Sequence, residues 1–151
     1  SARVGNHWGH RITVFDKNRK RLDFLSDIDI ATVDDIPDFK KFSFIIECTG
    51  MAVLCREVIN HSSNATTILL LGLPYSNESI DLEDIVSSDK KIVGSVGSHG
   101  DDFRRAISIA KNLNLTFFNK SIFQFHDWKK AWKTHKSKRK LKVKLKVVSN
   151  L

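Results

Sequence analysis

The sequence predicts an α/β fold with a doubly wound parallel sheet, and three observations predict it. Short β-branched runs alternate with segments whose apolar residues recur at helical spacing. One run, residues 66–73, is apolar almost throughout, as a strand covered on both faces tends to be. Three of the runs then end in glycine, the residue that lets a chain turn sharply over a sheet edge.

Each element follows from its residues. Residues 1–10 read as the end of a helix, with Gly9 as a turn residue. Residues 11–16 form a short strand that ends in Asp16, and residues 17–24, densely charged, begin a helix. Residues 28–33 are a second short strand, closed by Asp34, Asp35 and Pro37. The run at 42–48, Phe-Ser-Phe-Ile-Ile-Glu-Cys, is the third, stopped by Thr49 and Gly50. Met51, Leu54, Cys55, Val58 and Ile59 share one face of the helix that follows. Residues 66–73 are the next strand, stopped by Pro74. A short helix at 82–87 leads to another strand at 91–96, and a helix at 103–112 carries Phe103, Ala106, Ile107 and Ala110 on one side.

The end of the chain has a different character. Asp127 is placed to cap a helix whose Trp128, Ala131 and Trp132 read as core anchors. Leu141, Val143, Leu145 and Val147 then alternate with Lys140, Lys142, Lys144 and Lys146, the period of a strand with one lysine-lined face. Lysines guard a sheet edge against association, which is the reading preferred here over a nucleic-acid surface.

Bulk properties narrow the function. A length of 151 residues with 41% apolar side chains suits one globular domain. No run approaches the length of a membrane span, and no segment has the pattern of a secretion signal, so the expectation is a cytoplasmic protein. Cys48 and Cys55, in apolar company, read as buried free thiols of a reducing compartment. The net charge of +8 is concentrated: ten basic and no acidic residues lie within 129–146, and the rest of the chain is near −2. A nucleic-acid-binding module working through this Lys-rich segment is therefore the alternative function, and its signature is binding that collapses with salt.

The residues with chemical meaning stand at the strand ends, where doubly wound sheets bind ligands. A carboxylate such as Asp16 can hold the hydroxyls of an adenosine ribose, whereas Lys17, Asn18 and Arg19 suit a 2′-phosphate; an ordinary surface turn is equally compatible. Thr49 with Gly50, the Leu71-Gly72-Leu73 segment, and Ser95-Val96-Gly97 close the other ends. The G-x-G-x-x-G turn that cradles a pyrophosphate is missing, since Gly5 and Gly9 have the wrong spacing and no preceding strand. The six scattered histidines and the two cysteines give no zinc-site pattern, and no catalytic or metal residue is assigned.

Three segments carry a resemblance: Phe44-Ile-Ile-Glu-Cys-Thr-Gly50, Leu70-Leu-Gly-Leu-Pro74 and Lys90-Lys-Ile-Val-Gly-Ser-Val96 followed by Phe103. They resemble the medium-chain zinc-dependent alcohol dehydrogenase superfamily, and within it the archaeal-type glucose 1-dehydrogenases. The resemblance implies a Rossmann-like domain lacking its first strand and glycine-rich turn, with residues 1–151 as a partial NAD(P)-binding domain and 125–151 as its closing helix and basic strand. It implies oxidation of the C1 hydroxyl of an aldose with hydride transfer to NADP or NAD. The zinc and the sugar would be held by a domain outside this chain, and a homo-oligomer is expected. It implies cofactor contacts from Asp16, Lys17, Asn18, Thr49, Leu71, Gly72, Leu73, Ser95, Val96 and Gly97. One departure is Gly97, where the family carries asparagine. A different nucleotide-binding enzyme, such as a methyltransferase, would also place an acid after an early strand, but does not account for the Gly-Ser-Val segment.

Overall fold

The computed structural model describes residues 1–137, 140 and 142–147. They fall into two compact units, one built from Ser1–Ile36 and Gly100–Leu151 and the other from Pro37–His99.

The Pro37–His99 unit is a three-stranded parallel sheet with helices on one face. Strands β3 (Phe44–Glu47), β4 (Thr67–Leu70) and β5 (Lys91–Gly94) lie in the order β3-β4-β5, with Ile45 opposite Ile68 and Ile68 opposite Ile92. Helix α3 (Ala52–His61) turns Ala52, Cys55, Val58 and Ile59 inward; of the stripe that the sequence spacing predicts, Cys55, Val58 and Ile59 are buried and Leu54 partly so, while Met51 stands exposed before the helix. Val58, Ile59, Ile68 and Phe39 form the core, with Ile45, Leu54, Leu70, Ile92 and Ile85 of helix α4 (Leu82–Ser87) packed around them. Ile59 and Ile68 are fully buried, each worth roughly 2–3 kcal/mol in water-excluded apolar surface. Asp81 starts α4 by accepting a hydrogen bond from the Asp84 N–H at 3.2 Å.

Polar groups in this core are paired. The buried Thr66 hydroxyl donates to the Phe42 carbonyl at 3.2 Å. The buried Lys90 ammonium donates to the Ile59 carbonyl at 2.8 Å and to Asp84 Oδ2 at 2.5 Å, tying the ends of α3 and α4 to the start of β5. Lys90 beside it, helped by the Ser88 hydroxyl, holds the Asp84 carboxyl below its ordinary range.

In the other unit, helix α1 (Ala2–His7) ends at Gly9, whose φ of +76° is left-handed. Strands β1 (Thr13–Phe15) and β2 (Ala31–Val33) pair in parallel, joined through the short helix α2 (Arg19–Leu22) and a 3-10 turn at Asp23–Leu25. The buried Arg3 guanidinium bonds both Asp27 carboxylate oxygens and the Phe24 carbonyl, and lies 4.4 Å from the Phe117 ring centroid. This bond to Arg3 lowers the Asp27 carboxyl. Helix α5 (Gly100–Ala110), strand β6 (Ile122–Gln124), helix α6 (Trp128–Lys136) and strand β7 (Lys144–Lys146) complete it, with β7 parallel to β6.

Several expectations need correction. Trp128 and Trp132 are half-exposed, at 50% and 56%, because the inward stripe of α6 is only wide enough to bury Ala131. Phe103 and Ile107 of α5 are likewise exposed. Asp127 stands at the start of α6 without accepting a capping bond; its carboxylate lies 3.6 Å from His126 Nε2. Cys55 is buried but Cys48 is exposed, since successive residues leaving a strand point to opposite faces. Strand β6 was not read from the sequence. The final basic strand is confined to Lys144–Lys146 among the described residues, and Leu141 lies outside them.

Candidate functional site

Parallel pairing places the carboxyl ends of β3, β4 and β5 side by side, with Glu47 opposite Leu70 and Leu70 opposite Gly94. Thr49, Leu71, Gly72, Leu73, Ser95, Val96 and Gly97 all stand just beyond these ends, so seven of the sequence-predicted residues share one sheet edge. The Leu71 and Gly72 N–H groups donate to the Glu47 carbonyl at 2.8 and 3.2 Å, and the Ser95 N–H donates to the Leu70 carbonyl at 3.1 Å. These bonds continue the ladder one step past the strands and hold the three loops in line.

Two glycines let the first two loops meet. A Cβ on Gly72 would fall 2.0 Å from the Gly50 nitrogen and 2.5 Å from its Cα, closer than any real contact. A Cβ on Gly50, whose φ is +67°, would fall 2.6 Å from the Leu73 carbonyl oxygen. Backbone thus packs on backbone between these loops, a floor flanked by the exposed side chains of Leu71, Leu73 and Val96.

Beneath this floor lies Glu47, which the sequence reading did not select. It is only 3% exposed. Its Oε1 accepts from the Thr49 N–H at 2.7 Å and from the Thr49 hydroxyl, and its Oε2 accepts from the Gly50 N–H at 3.0 Å. The Thr49 hydroxyl also accepts from the Met51 N–H at 3.1 Å, so it is committed to the turn rather than turned toward a ligand. An acid inside an otherwise apolar run, directly before Cys-Thr-Gly, was the available signal. Nearby, burial above all, followed by the Glu47 charge and hydrogen bond, pushes the Cys55 thiol up to about 11.

Asp16, Lys17 and Asn18 belong to the other unit, at the end of β1, in a sheet separate from β3-β4-β5. Three of the strand ends singled out in the sequence therefore share one sheet edge, and the β1 end stands on its own sheet. Asp16 Oδ1 accepts from the Asn18 N–H at 2.8 Å, and Oδ2 accepts from Arg21 Nη1 at 3.4 Å. Arg19 pairs with Asp34 at 3.1 Å. The mixed charges of this turn thus neutralise one another in part, and Lys17 stands exposed.

This arrangement offers shape, backbone and apolar contact, which is binding chemistry. No cluster of three or more His, Cys, Asp or Glu side chains able to hold a metal occurs among the described residues. Among those residues, too, no helix is long and apolar enough to cross a membrane.

Residues 24–148 match the family described as glucose dehydrogenase C-terminus. The chain is 28% identical over 100 residues to ribulose-5-phosphate reductase 2 of Staphylococcus aureus (strain NCTC 8325 / PS 47), covering 64% of this chain and 29% of that protein. Its fold is similar to that of S. aureus TarJ, with a TM-score of 0.74, 19% identity, and coverage of 95% of this chain and 50% of the other. It is also similar to Haloferax mediterranei glucose dehydrogenase in complex with NADP, Zn and gluconolactone, with a TM-score of 0.64, 21% identity, and coverage of 80% and 39%. The chain therefore spans no more than half the length of these relatives. The likeness to the solved structures establishes a Rossmann-like fold.

Proposed function

Because this chain belongs to the glucose dehydrogenase C-terminus family, we propose that it is the coenzyme-binding portion of an NAD(P)-dependent aldose 1-dehydrogenase. The observation that carries the proposal is the approach of Gly50 to Gly72, which packs backbone on backbone beyond three parallel strand ends. The Haloferax relative holding NADP supports the coenzyme class.

When bound, the nicotinamide ring supplies hydride acceptance from the sugar C1. The residues of this chain bind and orient it. Leu71, Gly72 and Leu73 would hold the nicotinamide half from one side and Ser95, Val96 and Gly97 from the next strand end. Thr49 would contribute through its backbone and methyl group, its hydroxyl being bonded to Glu47 and Met51. Asp16, with Lys17 and Asn18, would meet the adenosine ribose and its 2′ position. The bond from Arg21 reduces the pull of Asp16 on ribose hydroxyls, so NADP and NAD are both accommodated. The zinc and the aldose are assigned to residues other than those described. A homo-oligomer fits the exposed apolar residues Phe44, Ile46 and Val93 on one face of the β3-β4-β5 sheet.

The test is a calorimetric titration with NADPH and NADH, with glucose-dependent reduction of both oxidised forms assayed alongside. Saturable binding is expected; none with either nucleotide refutes the proposal. One observation favours a second reading: Trp128 and Trp132 are exposed with Lys129 and Lys136 over their rings, a surface that single-stranded nucleic acid can stack on. Salt-sensitive binding of oligonucleotides, lost when both tryptophans become alanine, would support it.

A further inference from the structure

We infer that Glu47 is a positioning residue that also sets the redox preference of the site, its buried carboxylate favouring the oxidised, cationic nicotinamide over the reduced, neutral one. The inference rests on the reading that the β3-β4-β5 strand ends take the nicotinamide half of the coenzyme.

The geometry leads to this in two steps. First, Glu47 turns inward the two amides that a ligand phosphate would otherwise use. The Thr49 and Gly50 N–H groups both point at its carboxylate, at 2.7 and 3.0 Å. A strand end whose amide donors are already bonded to a buried acid is a poor anion site. What this end can accept is an uncharged or positively charged group.

Second, the carboxylate lies directly under the floor. A Cβ built on Gly72 would come within 2.8 Å of Glu47 Oε2, so the acid lies against the backbone of the Gly50–Gly72 floor. Glu47 is almost wholly buried, and two cations of this unit are bonded to other groups: Lys90 to Asp84 and Ile59, Arg56 to Glu57 and Glu78. A charge in such a place is weakly screened and acts over a ring's distance. Oxidised nicotinamide carries a positive ring nitrogen, and the reduced ring does not. At an effective dielectric of about 20 and a separation of roughly 10 Å, the difference corresponds to a preference on the order of tenfold.

The same bonds fix the turn. Without them the Thr49–Gly50 loop loses the anchor that keeps it against Gly72, so both coenzyme forms bind more weakly. The two roles separate experimentally, because loosening a turn weakens both forms alike whereas removing a charge changes their ratio.

The experiment measures dissociation constants of the protein for oxidised and reduced nicotinamide nucleotides by calorimetry, using whichever of the NADP or NAD pair binds more tightly, with ADP-ribose as a probe lacking nicotinamide. In Glu47→Gln, the preference for the oxidised form is expected to fall about tenfold, with ADP-ribose affinity unchanged. Equal weakening of both forms overturns the charge role and leaves coenzyme binding standing. If wild-type protein binds ADP-ribose but shows no gain from nicotinamide, the strand ends do not take that half, and the inference falls with that part of the reading. If Glu47→Gln does not fold, Glu47→Asp decides: it keeps the charge, so weaker binding with the wild-type ratio supports the inference, and a ratio shifted toward the reduced form overturns it.

Discussion

The contact between Gly50 and Gly72 makes Gly72→Ala a sharp test of how the site is built. A Cβ there would stand 2.0 Å from the Gly50 nitrogen and 2.5 Å from its Cα. An ordinary carbon contact needs about 3.4 Å, so the loops must separate by roughly 1.4 Å. Both neighbours are backbone atoms, and no side chain can swing away to make room. Overpacking of this kind costs about 1–3 kcal/mol, and the rigid ladder bonds from Leu71 and Gly72 to the Glu47 carbonyl put this case near the upper end. The expected result is a loss of about 3 kcal/mol in urea unfolding, or roughly 10 °C in melting temperature for a chain of this size. Coenzyme affinity should fall with it. Gly94→Ala is the control: it lies on the neighbouring strand, no heavy atom is within 4 Å of its would-be Cβ, and its stability should change by less than about 0.5 kcal/mol. Wild-type stability in Gly72→Ala would refute the close approach and, with it, the argument for a floor of backbone packed on backbone.

Lys90→Met should cost about 3 kcal/mol in urea unfolding, because it leaves the Ile59 carbonyl and the Asp84 carboxylate without their buried partner; a loss below 1 kcal/mol would show that water replaces the ammonium freely. The lowered carboxyls of Asp84 and Asp27 give an acid limb. Their stabilisation is fully present above the ordinary carboxyl value near pH 4 and is lost as pH falls through the lower folded value. Melting temperature followed from pH 6 downward should therefore drop below about pH 4, and Asp84→Asn should flatten that drop. Cys55, with its thiol pushed up to about 11, should resist iodoacetamide in the folded protein at pH 8 and react only on unfolding, as read by mass spectrometry of the modified peptide.

Much of this architecture is written in local patterns. The alternation of apolar runs with helical stripes is a property of consecutive residues, and it located α3, α4 and strands β1 to β5 with small shifts at their ends. The glycines and small residues beyond the strands were equally legible, since turning over a sheet edge requires them wherever the sheet lies. The motifs carrying the family resemblance lie at those same positions, so the residues just beyond β3, β4 and β5 are legible in the sequence.

What neighbours do to a residue was not legible. Trp128 and Trp132 have the spacing of core anchors, yet burial depends on what lies opposite a helix, and here only Ala131 is covered. Glu47 reads as a stray acid in a strand, and only the folded chain shows that the Thr49 hydroxyl and the Thr49 and Gly50 N–H groups converge on it. Strand β6 has no pattern strong enough to be seen alone; it exists because β7 offers it a ladder. By itself the sequence determined the order and kind of the elements and the places where the chain must turn, because those follow from side-chain period and backbone freedom. The tertiary structure alone decided which turns touch, which charges are buried and which apolar residues stay exposed, because these depend on atoms far apart in the chain.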